Sequence, residues 1–176
     1  MRKYLTWASV ALILIVLPVG SFIYLKRGFD FQKKNFAEMQ MLGAMPYDSL
    51  VNWDPGLNAV WLSGDVHVVA FFTPGNRIDM GNTLVTLQEQ YAKVSHFQLI
   101  GMADNIDAMP ELATYKIVSS NPNLPSIRSR FPTNFGPDVL TLVDSKDEIR
   151  GMYHWRDAEE MKKMVTHIAL LLPKNE

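Results

Sequence analysis

The chain has 176 residues, with 17 basic and 18 acidic side chains and a formal net charge of −1 at pH 7. This balance gives no sign of a nucleic-acid-binding surface. The sequence contains no cysteine, which excludes disulfides, thiol exchange, cysteine-ligated metal clusters and a lipoprotein anchor. Beyond an apolar N-terminal segment, the length suits one domain of about 120–140 residues.

An uncharged, mostly apolar segment extends over residues 4–25. As an α-helix it would be about 30 Å long, which matches the apolar thickness of a bilayer. A basic pair lies on each side of it, at positions 2–3 and 26–27. We therefore predict a tail over residues 1–3 followed by a transmembrane helix, in preference to a cleaved signal peptide.

Residues 26–61 are predicted to form a linker that contains a short amphipathic helix over Phe31–Leu42. Met39, Met41 and Met45 lie close together in this linker. Thioether sulfurs can bind Cu(I), but flexible methionine side chains also pack well on irregular surfaces. Packing is the favoured interpretation, and a weak copper site is the alternative.

Hydrophobic patterning predicts the elements that follow. Residues Val66–Phe72 are almost continuously apolar, as expected for a central strand that is covered on both faces. Apolar residues at spacings of three and four predict a helix over Met80–Val94, with Asp79 as its N-cap. Phe97–Met102 is the predicted second strand, parallel to the first. A second helix is predicted over Asp107–Val118.

The residue pattern in the C-terminal third of the chain predicts a β-hairpin and a final helix. Val139–Val143 should pair with Ile149–Tyr153 through a turn at Ser145–Glu148. Asp157 is the predicted N-cap of the last helix, and Glu160, three residues later, would complete a capping box. The predicted buried stripe of this helix consists of Met161, Met164, Val165, Ile168, Leu171 and Leu172.

Four segments of the chain resemble the Sco/SenC family, the membrane-anchored copper and thiol proteins of cytochrome oxidase assembly. They are Leu62–Thr73 (LSGDVHVVAFFT), Gly101–Tyr115, Pro137–Asp144 and Ile149–Tyr153. The resemblance implies an α/β, thioredoxin-like fold over residues 62–173, with a central sheet flanked by helices. Residues 174–176 would form a C-terminal tail.

The resemblance also identifies where the functional site of the family would lie. In the family the first strand ends in a Thr-x-Cys-x-x-x-Cys-Pro loop, and the two cysteine positions fall on Gly75 and Asp79. The copper-ligand histidine should lie near Phe135–Asp138, where the sequence has none. The expected cis-proline is Pro137. The resemblance therefore implies a degenerate site with no resident cofactor.

Other side chains give no catalytic pattern. The histidines, at positions 67, 96, 154 and 167, have no recognised metal-ligand spacing. Asp104 and Asp107 are interpreted as turn and cap formers. Thr73 and the pair Ser119–Ser120 have no neighbouring base at a diagnostic spacing. We therefore predict no enzymatic activity.

The resemblance implies a catalytically inactive accessory or assembly subunit of a respiratory membrane complex. Its partners would be integral-membrane subunits of that complex, together with the bilayer around residues 4–25. The alternative function is copper handling in cytochrome c oxidase assembly through Met and His ligands. The resemblance places the C-terminal domain on the periplasmic side of the inner membrane, whereas the count of flanking basic residues slightly favours the opposite orientation.

Overall fold

The computed structural model describes residues 2–46, 64–103, 115–118, 129–132 and 136–173, without the side chains of 2–11 and 115–118. The chain divides into two compact units. We call Met1–Glu38 the N-terminal unit and Met39–Glu176 the C-terminal unit, and describe each by itself.

The N-terminal unit is one helix, α1, from Arg2 to Glu38. The part within Leu12–Glu38 includes a stretch that is long and apolar enough to cross a membrane, and none of that stretch is buried within the protein. The prediction of a separate helix over Phe31–Leu42 is wrong, because α1 continues without a break to Glu38 and the next residues are not helical. Lys26 and Arg27 end the apolar stretch, but both are good helix formers and do not end the helix.

The C-terminal unit is built on a mixed sheet. Within the described residues it has six strands in the order β1-β6-β5-β2-β3-β4. Strands β2, β3 and β4 are parallel to one another. Strand β5 pairs antiparallel with β2, β6 with β5, and β1 with β6. The strand bounds are β1 Gly43–Ala44, β2 Val66–Phe72, β3 Phe97–Ala103, β4 Tyr115–Val118, β5 Val139–Val143 and β6 Glu148–His154.

Strand β2 is central, as predicted. All seven of its residues are buried, and its Val69 lies opposite Ile100 of β3 and Thr141 of β5. Burial on both faces explains why this segment is almost continuously apolar and does not alternate between apolar and polar residues.

Among the described residues, two helices pack on one face of the sheet: α2, Arg77–Tyr91, and α3, Ala158–Leu171. The spacing of their apolar residues forms one stripe on each helix, and these stripes complete a single hydrophobic core with the even-numbered residues of β2. Its members include Val66, Val68, Ala70, Phe72, Met80, Leu84, Leu87, Tyr91, Met164 and Ile168.

Two predicted helix boundaries differ from the structure. Helix α2 begins at Arg77 with Asn76 as its N-cap residue, so Asp79 lies in the first turn and is not the cap. The predicted helix over Asp107–Val118 is wrong at its end, because Tyr115–Val118 forms β4 and pairs with β3. Tyr, Ile and Val favour strands, and hydrogen bonding to the open edge of β3 stabilises the extended conformation. Residues 107–114 lie outside the described residues.

The final helix has the predicted cap with a different partner for Glu160. The Asp157 carboxylate accepts hydrogen bonds from the backbone N–H groups of Glu159 at 2.8 Å and Glu160 at 3.2 Å. The Glu160 carboxylate accepts from the His154 N–H and does not close a capping box, because the Asp157 N–H already donates to the His154 carbonyl at 3.0 Å. The side chain of Glu160 therefore ties α3 to the end of β6.

Candidate functional site

The loop between β2 and α2 contains the positions at which the family site was expected. Its centre is Asn76, whose side chain is only 4% exposed. The Asn76 Oδ1 atom accepts a hydrogen bond from the Thr73 N–H at 2.7 Å. Its Nδ2 group donates to the carbonyl oxygens of Phe71 at 3.0 Å and Pro137 at 2.8 Å.

These three hydrogen bonds give the Asn76 amide a structural role. Its carbonyl oxygen and both of its N–H donors have backbone partners, so burying the amide leaves no donor unsatisfied. The bonds join the end of β2, the loop itself and the segment that precedes β5. We call this arrangement the Asn76 lock, and it fixes the loop from Thr73 to Asn76 against the sheet.

The Pro137 carbonyl is shared by a third segment. It accepts a further hydrogen bond from the indole Nε1 of Trp155 at 3.0 Å. The Arg156 guanidinium lies 4.1 Å from the centre of the Trp155 ring and donates to the Asp138 carboxylate at 2.9 Å. The loops at the ends of β2, β5 and β6 therefore meet through hydrogen bonds to one backbone carbonyl. The cation–π contact of Arg156 with Trp155 lies beside them.

Gly75 and Asp79 lie on either side of the lock, and both are exposed. A Cβ atom added to Gly75 would have Thr73 Oγ1 as its nearest neighbour, at 4.0 Å, so this position has open space. Ile78, which is 75% exposed, lies between the two positions. A glycine and a first-turn carboxylate provide neither a nucleophilic thiolate nor a soft metal ligand.

The prediction of a cis-proline at Pro137 is wrong, because the Gly136–Pro137 peptide bond is trans. The trans form is the lower-energy isomer of an X–Pro bond. The Pro137 carbonyl accepts hydrogen bonds from the side-chain donors of Asn76 and Trp155. The segment therefore acts as a hydrogen-bond acceptor for the loop.

The three methionines of the alternative copper site do not share one environment. Met39 and Met45 are buried, with 8% and 5% exposure, whereas Met41 is 62% exposed. The Met45 N–H donates to the Asp147 carbonyl at 2.8 Å, which holds this segment beside the β5–β6 hairpin. Met39 and Met45 therefore pack in the protein interior, as the favoured interpretation expects.

The four histidines lie in separate places. His67 is buried in β2, His154 is exposed at the end of β6, and His96 Nδ1 lies 3.0 Å from the Asp65 carboxylate. Among the described residues, no three histidine or acidic side chains are grouped closely enough to hold a metal ion. Asp104, Asp107, Ser119 and Ser120 lie outside the described residues.

A buried polar pair was missed by the sequence analysis. The Tyr153 hydroxyl lies 2.6 Å from His167 Nδ1, and the two residues are only 5% and 1% exposed. Burial and, to a smaller extent, the charge of Glu160 raise the pKa of the Tyr153 phenol. The signal in the sequence was Gly151, two residues earlier on the same face of β6, which leaves room for the tyrosine ring. This pair joins α3 to the sheet.

Comparisons with known proteins identify the fold of the C-terminal unit. No protein-family model and no curated protein matches the chain. The solution structure of a candidate protein disulfide isomerase from Bacteroides thetaiotaomicron is similar, with 17% identity over 67% of this chain and 80% of that one, and a TM-score of 0.52.

Two further structures match with lower TM-scores. A candidate thiol:disulfide interchange protein DsbE from Chlorobium tepidum is 13% identical over 65% of this chain and 86% of that one, with a TM-score of 0.49. A SCO1/SenC family lipoprotein from Bacillus anthracis is 13% identical over 66% of this chain and 87% of that one, with a TM-score of 0.47. At these identities a match is informative about the fold alone. The central sheet flanked by helices is a thioredoxin-like fold, in a chain that also carries an N-terminal apolar helix able to span a membrane.

Proposed function

We propose that this protein is a membrane-anchored, catalytically inactive, Sco/SenC-like accessory or assembly subunit of a respiratory membrane complex. The observation that carries the proposal is the Asn76 lock. At the position where the family resemblance places a reactive loop, a buried amide makes three hydrogen bonds to backbone groups.

The geometry of the loop supports a structural role. Thiol–disulfide exchange needs an accessible thiolate that can reach a partner sulfur. The sequence supplies no thiol. The buried side chain of the loop, Asn76, uses its hydrogen-bonding groups to hold three segments together. A fold that keeps its shape after losing its reactive groups can still supply a binding surface. The exposed residues Gly75, Ile78 and Arg156 lie beside the lock.

The anchor determines where this surface acts. Helix α1 contains a stretch able to span a bilayer, and a single-pass anchor keeps the C-terminal unit close to integral-membrane partners. We place that unit on the periplasmic side of the inner membrane, as the Sco/SenC resemblance implies. An alkaline phosphatase fusion at the C-terminus, active only outside the cytoplasm, tests this orientation.

Copper retention tests the proposed inactivity against the alternative function. The purified full chain is loaded with Cu(I) without oxygen, dialysed against a modest chelator and assayed for bound metal. We expect far less than one copper per chain, because Met39 and Met45 are buried in the interior. One tightly held copper per chain would contradict the proposal, and its loss in Met41→Leu would assign the ion to the methionine segment.

Paired cysteines test whether the degenerate site is correctly located. Gly75→Cys combined with Asp79→Cys places two thiols at exposed positions around the N-terminus of α2. The helix N-terminus lowers the pKa of a nearby thiol, so at least one of them should react faster than a free thiol at neutral pH. If the two positions match the family's cysteines, the loop holds their Cα atoms within about 4.4–6.8 Å, so mild oxidation should form a disulfide within one chain. Open space at Gly75 admits the new side chain. Crosslinking only between chains would show that the two positions do not correspond to the family site.

A further inference from the structure

The part of α1 that follows the apolar stretch has one strongly charged face. Between Lys26 and Glu38 the helix carries four basic and two acidic side chains, all of them exposed. At 100° per residue, these six side chains fall within an arc of about 140°. We call this arc the charged face; it consists of Lys26, Arg27, Asp30, Lys33, Lys34 and Glu38.

Aromatic side chains lie on other sides of the same helix. Phe29 and Phe36, seven residues apart, project from outside the charged face and are 65% and 50% exposed. The continuous helix α1 is therefore amphipathic in the part that follows its apolar stretch. Clustered cations directly beside a membrane-spanning stretch are typical of segments that contact anionic lipids.

We propose that the charged face binds the headgroups of anionic phospholipids. This inference rests on the membrane anchoring in the proposed function. Lys26 and Arg27 come directly after the uncharged segment, so they lie at headgroup depth when that segment spans the bilayer. Lys33 and Lys34 follow about 10–12 Å further along the helix. Their long side chains can reach back towards the surface, within about one Debye length of the lipid phosphates.

The net charge of this face favours an anionic partner, and its position beside the apolar stretch favours lipid over an acidic protein segment. The four cations outnumber Asp30 and Glu38 by two. The intrahelical contact between Lys34 and Glu38 is 4.0 Å long, and the lysine is 77% exposed. Such an exposed pair contributes little and leaves the ammonium available to a phosphate. Because the cations are adjacent to the spanning stretch, the bilayer surface is also the nearest anionic surface.

The test uses the full chain in neutral detergent micelles that contain equal amounts of phosphatidylglycerol and phosphatidylcholine. Native mass spectrometry counts the retained lipids. A quadruple variant replaces Lys26, Arg27, Lys33 and Lys34 by Gln. A matched control replaces four exposed lysines of the C-terminal unit by Gln, at positions 93, 146, 162 and 163. Carbonate extraction of membranes measures anchoring separately.

We expect the wild-type chain and the control variant to retain phosphatidylglycerol selectively. Each cation near an anionic surface is worth about a fivefold change in binding. The quadruple variant should therefore lose at least about tenfold in phosphatidylglycerol affinity if only two cations contact the lipid, and several hundredfold if all four do. Equal retention of both lipids by the wild-type chain, with the chain still resistant to carbonate, would overturn this inference alone. Release of the wild-type chain by carbonate would overturn the inference together with the anchoring. A second polypeptide that the quadruple variant loses, with lipid retention unchanged, would overturn the inference and assign the face to a protein partner.

Discussion

Replacing Asn76 by Ala tests how much the Asn76 lock contributes to stability. The substitution removes three hydrogen bonds from a side chain that is 4% exposed. It leaves the Thr73 N–H and the Phe71 carbonyl without these partners, while the Pro137 carbonyl keeps its bond to Trp155. A net loss of about 1 kcal/mol per hydrogen bond, with a penalty for any group left buried and unpaired, amounts to about 2–4 kcal/mol.

The assay is thermal and urea unfolding of the full chain, followed by circular dichroism. For a unit of this size, 1 kcal/mol corresponds to about 4 °C in Tm, so we expect Asn76→Ala to lower Tm by about 8–16 °C. Asn82→Ala is the matched control, because Asn82 is exposed on the same helix and its replacement should change Tm by no more than about 2 °C.

A third variant separates the two ends of the amide. Asn76→Asp keeps an acceptor for the Thr73 N–H but replaces the donor group by an oxygen that faces the carbonyls of Phe71 and Pro137. It should therefore be less stable than Asn76→Ala at neutral pH. The reasoning would be refuted if Asn76→Ala unfolded within the range of Asn82→Ala, because the three bonds would then contribute no net free energy.

Three further predictions concern the core. Val69→Asp buries an unpaired charge in β2 and should prevent stable folding. The control Ile78→Asp, on the exposed first turn of α2, should leave Tm nearly unchanged. Equal Tm values for the two variants would contradict the assigned core. Gly151→Ala places a Cβ in steric conflict with the Tyr153 ring and should cost about 1–3 kcal/mol in urea unfolding. Gly75→Ala, at a position with open space, should cost much less. Burial raises the Tyr153 pKa above its ordinary value of 10.0, so this tyrosine ionises at a lower pH in the unfolded chain than in the folded one. The free energy of unfolding should therefore fall as pH rises above 10. Tyr153→Phe should make this fall less steep, and an unchanged slope would contradict the burial of the phenol.

The strands were predictable because their signal is local. Val66–Phe72 and Val139–Val143 were identified at their observed bounds, since burial on both faces demands continuous apolar residues. The start of α2 was placed three residues late because Asp79 is a good cap by type. In the structure the cap position belongs to Asn76, whose side chain bonds to β2 and Pro137 and makes no capping hydrogen bond.

Three other features were not predicted because they depend on residues distant in the sequence. The Asn76 lock depends on a partner 61 positions away, and no periodicity in the sequence indicates such a pair. His167 was omitted from the stripe of α3 because it is polar, yet its bond to Tyr153 allows it to be buried. The strand at Tyr115–Val118 was assigned to a helix because its state depends on pairing with β3.

The most direct test of the account is native gel electrophoresis of the protein with its partners. The full chain, carrying an affinity tag, is expressed in the organism that encodes it and purified from its membranes in mild detergent. We predict that it migrates in stoichiometric association with the subunits of a respiratory membrane complex, and that wild-type and Met41→Leu proteins behave alike. Migration of the chain alone, with one copper bound per chain, would contradict the account and support the copper-handling alternative.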